Sequence, residues 1–278
     1  MVIALLALVA SLGTSPQRIV STAPSITEML YALGLGDRVV GVTTFCRHPS
    51  EAARKPKIGD YLRPNWELIV AARPDLVILE RTGVRRTERL AHAQFAVLEV
   101  DDATLAGIFA SLERIAQAAG VPERAAVANA RIREALEVVR QRVAGRPRPR
   151  TMFVLGRTPG RLEGIVVAGR GTYLDELIGL AGGKNIFADT VSAYAKVPLE
   201  QILARDPEVI LDMGEMADPE ALNEPRRRAV VDLWRRQPTL TAVRQQRVYA
   251  VASGAFLVPG PRVAEAARAL SEMLHPAR

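Results

Sequence analysis

The hydrophobic pattern of this chain states one short unit twice. The first copy is Glu67-Leu-Ile-Val-Ala-Ala-Arg-Pro-Asp-Leu-Val-Ile-Leu79, and the second is Glu200-Gln-Ile-Leu-Ala-Arg-Asp-Pro-Glu-Val-Ile-Leu-Asp212. Aligned without a gap, they are identical at Glu67/Glu200, Ile69/Ile202, Ala71/Ala204 and Pro74/Pro207, and similar at Asp75/Glu208, Leu76/Val209 and Val77/Ile210. Each copy predicts a short helix, a proline that cannot extend it, and an apolar run of strand length. One supersecondary unit in both halves predicts an α/β fold of two similar lobes with a ligand cleft between them. In such a layer the helix runs antiparallel to the strand it feeds, so its N-terminus lies at the edge where strands end and ligands bind. Glu67 and Glu200, following Asn65 and Pro198, are therefore expected near the rims of their lobes. Complementing a helix dipole, worth about 0.3–1 kcal/mol, would explain either carboxylate alone. Their matched positions require a shared role or common descent of the lobes.

The rest of the pattern fills in around these units. Arg18–Thr22 reads as a strand, Pro24 as its stop, and Ser25-Ile-Thr-Glu28 as a capping box opening a helix that ends at Gly34-Leu-Gly36. Val39–Thr43 is a second strand, and Phe45–Tyr61 a polar, proline-bearing loop just beyond it, where ligand residues commonly sit. After the first repeat come the strand Ala96–Val100 and the amphipathic helix Leu105–Ala119. Pro122–Val143 has no internal glycine or proline and spans roughly 30 Å as a helix, enough to join two lobes. The breaker cluster Gly145-Arg-Pro-Arg-Pro-Arg150 follows, then a strand at Thr151–Leu155, which supports the linker over an ordinary surface helix. A rigid connector limits lobe closure, so little motion on loading is expected. The second half predicts a loop at Gly156–Gly164, a strand at Ile165–Ala168, a helix at Tyr173–Leu180, a loop at Asp189–Lys196 and then the second repeat. An irregular stretch at Met213–Arg226, short helices at Val230–Arg236 and Leu240–Gln245, a strand at Val248–Val251, a loop at Ser253–Pro261 and a helix at Arg262–Leu274 complete it. The expected organisation is a first lobe over 17–121, a linker over 122–145 and a second lobe over 146–278.

Composition narrows the class. A chain of 278 residues, 49% hydrophobic and 24% charged, can bury substantial cores and is not disordered. The net charge of +7 is mostly arginine without an aromatic-interleaved basic stripe, so no nucleic-acid partner is expected. One cysteine, Cys46, excludes an intramolecular disulfide. Val2–Leu12 is apolar but too short to span a bilayer, and residues 1–16 read as a secretory signal with small residues near Ala10-Ser11; a buried N-terminal strand is the alternative.

Enzyme signatures are missing. The chain has no Gly-x-Gly-x-x-Gly after a strand, no phosphate-binding Gly-Lys-Ser/Thr loop and no Gly-x-Ser-x-Gly elbow. Three histidines, His48, His92 in a helix and His275 at the chain end, are a thin supply for a triad or a protein-built zinc site. Cys46-Arg-His48 places a thiol and an imidazole two residues apart. Both suit iron or cobalt, and His48 is a candidate axial ligand to a bound metal, against a loop histidine beside a partly buried thiol. Aromatics make up only 5% of the chain, and Phe45, Tyr61, Trp66, Tyr194 and Phe256 all fall at the expected cleft edge, where flat side chains can stack on a large planar ligand. Trp66 could instead turn into the lobe core. Arg157, Arg161 and Arg170 lie in second-lobe loops and could face ligand carboxylates or amides, against simple solvation.

The series Arg18-Ile-Val-Ser-Thr-Ala-Pro-Ser-Ile-Thr-Glu28, Val40-Gly-Val-Thr-Thr-Phe-Cys-Arg-His-Pro49, Pro56-Lys-Ile-Gly-Asp60, both repeat copies and Gly182-Gly-Lys-Asn-Ile-Phe187 resembles the cobalamin, siderophore and haem class of ABC-importer substrate-binding proteins, from about Arg18 to the C-terminus. The resemblance implies two Rossmann-like lobes with mainly parallel sheets on a helical backbone, a periplasmic or secreted monomer, and no permanent cofactor. It implies a bulky metal chelate as ligand, a corrinoid first and a ferric siderophore or haem as alternatives, delivered to a membrane permease and its ATPase. By the same resemblance Phe45, His48, Tyr61, Tyr194 and Phe256 match ligand-lining positions, to which the reading of the residues themselves adds Cys46, Trp66 and Arg170 as candidate ligand residues; Glu67 and Glu200 match permease-docking knobs. The different-class alternative is a metal- or tetrapyrrole-handling enzyme on the same plan.

Overall fold

The computed structural model describes residues 15–81, 95–214, 223–251 and 253–276. Most of the expected signal and His92 lie outside these residues. In chain order the first lobe comprises β1 (Ile19–Ser21), α1 (Pro24–Ala32), β2 (Val39–Gly41), α2 (Ser50–Ala53), α3 (Trp66–Ala71), β3 (Leu76–Glu80), β4 (Ala96–Val100) and α4 (Leu105–Ala118). Helix α5 (Pro122–Val143) leads out of it. The second lobe comprises β5 (Arg150–Gly156), β6 (Ile165–Ala168), α6 (Tyr173–Leu180), β7 (Lys184–Asn185), β8 (Tyr194–Val197), α7 (Leu199–Arg205), β9 (Val209–Asp212), α8 (Glu224–Arg235), α9 (Thr241–Arg244), β10 (Val248–Ala250), α10 (Gly254–Leu257) and α11 (Val263–Leu274).

Among the described residues the strands form two separate sheets. The first has the order β2-β1-β3-β4 and is parallel throughout. The second has the order β10-β9-β5-β6-β8 with β7 beside β5; β10, β9, β5 and β7 are parallel, while β6 and β8 run antiparallel to their neighbours. Both faces of the first sheet are covered, which is why its strands read as apolar runs rather than alternations. Ile19, Leu76 and Ile78 face the core built with α1 and α4, while Val20, Val77 and Leu79 face Ile58 and Ile69. The second sheet divides in the same way: Phe153, Val209 and Leu211 face one core, and Met152, Val154 and Ile210 face Trp234 and Ile202.

The duplication seen in the sequence extends to backbone conformation. Arg73 and Asp206, equivalent residues between helix and proline, both take positive φ, 45° and 37°. A residue before proline is barred from extending the helix, and the left-handed turn brings the chain back into the sheet. One device then fastens each turn. Asp75 Oδ2 accepts from the backbone N–H of Arg18 at 2.8 Å, and its counterpart Glu208 Oε2 accepts from that of Arg150 at 2.7 Å. The guanidinium of Arg18 donates to the carbonyls of Ala72 and Arg73, and that of Arg150 to the carbonyls of Arg205 and Asp206. In both lobes the arginine entering the central strand thus satisfies the last carbonyls of the helix that begins with the matched glutamate.

Helix α5 has the expected bounds and a length of about 33 Å. Its buried residues Ala125, Asn129, Ile132, Leu136, Val139 and Val143 recur at steps of four and three, a single stripe packed on α4 and α11. One apolar core continues from α1 and α4 through α5 into α6 and α11. Lobe rotation would open that shared core, so X-ray scattering profiles of ligand-free and ligand-loaded protein are expected to superimpose; a hinge closure of tens of degrees would contradict this.

Four local expectations are corrected. The capping box at Ser25–Glu28 is not made: the helix starts after Ala23 with Pro24 in its first turn, and Glu28 turns to Arg262 instead. Tyr194–Val197 is not loop but β8, paired with β6. Helix α8 begins at Glu224, because Pro225 is tolerated in a first turn and Asn223 caps the N–H of Arg226. The Ser253–Pro261 loop contains the short α10.

Candidate functional site

The parallel strands β1, β3 and β4 end at the edge of the first lobe that meets the second. Just beyond β4, the Tyr173 N–H donates to Ala103 O at 2.7 Å, and the Leu105 N–H donates to Glu176 Oε2 at 2.6 Å, so α6 of the second lobe docks directly on this edge. The Tyr173 phenol, wholly buried, donates to Phe256 O at 2.5 Å. On the same junction Arg262 forms a two-pronged ion pair with Glu28, Nε to Oε2 at 2.9 Å and Nη2 to Oε1 at 2.5 Å, with the Glu28 side chain only 4% exposed. Burial raises the Glu28 carboxyl above its usual range even though Arg262 pulls it down. These contacts hold the two lobes in one arrangement.

The candidate ligand residues divide on this scaffold. Phe45, 51% exposed, and Tyr194, 45% exposed, present rings from opposite lobes. Tyr61 is half-buried, and His48 and Arg170 are exposed. Arg170 is partly committed, its Nε donating to Ala188 O at 2.9 Å. His48 lines a concavity of ≈ 500 Å³ at the lobe junction together with Glu28, Tyr31, Glu51 and Arg262.

Three candidates are drawn inward. Cys46 is 1% exposed, held in the core by the Thr27 hydroxyl, which donates to its Sγ at 3.1 Å, and by Thr43 at 3.1 Å. Burial pushes its thiol pKa up, which makes it an inert core residue rather than a metal ligand. Phe256 is 3% exposed and packs on Phe153 with ring centroids 5.7 Å apart. Trp66 is half-buried and packs against the cluster of Val20, Ile58, Ile69, Val77 and Leu79. Arg157 is likewise not free for a ligand: it is 3% exposed and bonded to Asp212 at 2.9 Å, and Asp212 also accepts from the Trp234 indole at 2.7 Å. Arg161 lies on the surface beside Glu163. Among the described residues no group of three or more His, Cys, Asp or Glu is placed to hold a metal ion.

Glu67 and Glu200 sit exposed in the first turns of α3 and α7. Leu68 and Val70 beside Glu67 are exposed as well. Glu200 borders a groove of ≈ 640 Å³ lined by Leu162, Glu163, Lys196 and Leu199, outside the lobe junction.

Two functional candidates escaped the sequence reading: Glu80, closing β3, and Asp102, just after β4. The signal was available: Glu80 follows the apolar run Leu76–Leu79 directly, and Asp102 lies two residues beyond the strand Ala96–Val100. Both act on the Tyr194 phenol across the cleft, whose pKa is raised by burial first and by these two acids next. Both acids therefore lie at the lobe junction, close to Tyr173 and Tyr194 of the second lobe.

A family model described as "Periplasmic binding protein" matches residues 19–254. A vitamin B12-binding protein of Yersinia pseudotuberculosis is 31% identical over 215 residues, 77% of this chain and 75% of that protein. The crystal structure of the periplasmic vitamin B12-binding protein BtuF of Vibrio cholerae superposes with a TM-score of 0.77 at 28% identity, covering 94% of this chain and 97% of that one. The apo form of the periplasmic heme-binding protein RhuT from Roseiflexus sp. RS-1 superposes with a TM-score of 0.76 at 28% identity, covering 93% and 98%.

Proposed function

Because the chain belongs to the periplasmic binding protein family, we propose that it captures a corrinoid in the cleft between its lobes and delivers it to the permease of an ABC importer. What supports the ligand class is a pair of exposed rings, Phe45 and Tyr194, one from each of two lobes that are joined by α5 and by the Glu28–Arg262 pair. Exposed aromatic rings in a pre-formed gap suit a large flat ligand, whose burial supplies the free energy without an ordering cost. Tyr61, His48 and Arg170 supply polar contacts around it, with His48 the candidate axial ligand to its metal. The protein works as a periplasmic monomer without a permanent cofactor, and the exposed Glu67 and Glu200 orient it on cationic permease loops.

A second reading is haem. It is supported by the likeness to a heme-binding structure and by the presence of His48, Tyr61 and Tyr194, residue types that ligate haem iron. Mixing the purified protein with cyanocobalamin, haemin or a ferric hydroxamate siderophore separates these readings. The corrinoid is expected to shift its own absorbance and to raise the melting temperature by mass action. A response to haemin alone would transfer the assignment to haem. Turnover of any chelate would replace binding with catalysis.

A further inference from the structure

At the lobe junction lies a pair of acids that no cation among the described residues answers. Glu80 ends β3 and Asp102 follows β4, strands that run side by side with Glu80 opposite Val100. Asp102 is 1% exposed, and its Oδ2 has no donor among the described residues. A buried carboxylate oxygen without a donor is costly, so its neighbourhood has to supply one. The groups facing it are the Glu80 carboxyl at hydrogen-bond range, the Ser25 hydroxyl of α1 and, from the second lobe, the Tyr173 and Tyr194 phenols. The Tyr173 proton is already given to Phe256 O. Asp101, next in the chain, is paired outward with Arg81. Two carboxyls this close resist ionising together; one proton held between them relieves the repulsion and gives Oδ2 a donor. Burial first, and Glu80 second, push the Asp102 carboxyl up to about 7. Glu80 is only half-buried and is therefore the more accessible member of the pair.

We propose that Glu80 and Asp102 are a proton-sharing carboxyl pair that selects the ligand, accepting hydrogen bonds from a chelate edged with carboxamides and turning away one edged with carboxylates. The proposal rests on the importer reading and deepens it. Deep in the cleft a fixed acceptor recognises N–H groups, and it leaves a carboxylate facing a second negative charge in a medium that screens poorly. A corrinoid carries carboxamides around its ring, whereas haem carries two propionates. The acids therefore favour the first over the second, although both ligands present flat faces to Phe45 and Tyr194.

The test titrates cyanocobalamin and haemin into the full chain and its Glu80→Gln and Asp102→Asn variants, and takes infrared spectra of the same ligand-free proteins across neutral pH. Removing the charge is expected to weaken cyanocobalamin, tighten haemin and lower the ratio of their affinities by about tenfold. Wild-type protein should show a protonated-carboxyl carbonyl band that titrates away toward pH 8 and is missing from Asp102→Asn. An unchanged affinity ratio overturns the selection, and absence of the band in wild-type protein overturns the shared proton. Wild-type protein that binds neither chelate overturns the importer reading and the ligand half of the proposal with it, and the infrared band then decides the proton sharing alone.

Discussion

Arg262→Ala is expected to lower the unfolding free energy by about 3–5 kcal/mol, because it strands a buried carboxylate. Glu28 is 4% exposed at the side chain and has Arg262, 234 residues away in sequence, as its bonded cation. The loss depends on pH with a definite sign. The folded-state pKa of Glu28 is already raised by burial above 4.5. A carboxyl raised in the folded state supports the fold fully below its unfolded pKa, and that support is lost as pH rises through the folded value. Removing Arg262 raises the folded value further, so the deficit of the variant should be small near pH 4 and grow toward pH 8. Urea denaturation of wild type and variant at both pH values measures this. Pairing Arg262→Met with Glu28→Leu should recover most of the loss, since an apolar pair of similar volume needs no partner. A deficit that is flat with pH would mean that Arg262 acts through packing alone.

Reversing both Glu67 and Glu200 to arginine is expected to abolish uptake while leaving ligand affinity intact. Both side chains are exposed in first turns, and no described contact ties either to the cleft floor. Helix α3 keeps its Asn65 cap, whose side chain accepts from the Leu68 N–H at 3.2 Å, so the fold should survive the change. Loss of the favourable dipole contact costs at most about 1 kcal/mol at each helix. In the docking role proposed for them, the two carboxylates meet cations on the permease, and reversal would convert steering into repulsion. Uptake by cells carrying the double variant, set beside the affinity of the purified protein, separates the two roles. Weakened ligand binding would place these acids in the ligand site, and normal uptake would remove them from docking.

Much of the architecture was legible because the physics behind it is local. Pro74 and Pro207 end helices wherever they stand, and the apolar runs after them have to be covered on both faces. Pro122–Val143 has no breaker and a regular apolar stripe, so its bounds could be read directly. The side chains at the cleft were less legible, because position on a loop does not set direction. Cys46 and Phe45 are neighbours, yet one lies in the core and the other stands in solvent. Phe256 and Arg157 looked available in glycine- and proline-rich loops, but Phe153 and Asp212 claim them from distant strands. Glu28 was readable as a helix cap, and only the fold reveals the arginine at the far end of the chain that takes it instead. Tyr194 lies in a strand and not a loop, because Tyr194–Val197 pair with β6 as the edge strand of the second sheet.

The central claim is that facing rings on two fixed lobes hold a flat chelate between them. Calorimetric titration of cyanocobalamin into wild-type protein and Tyr194→Ala tests it most directly. The account predicts one-to-one binding that the substitution weakens by about tenfold, the loss of one stacked ring. Wild-type protein that takes up no corrinoid, or a Tyr194→Ala variant that binds it as tightly as wild type, would contradict the account.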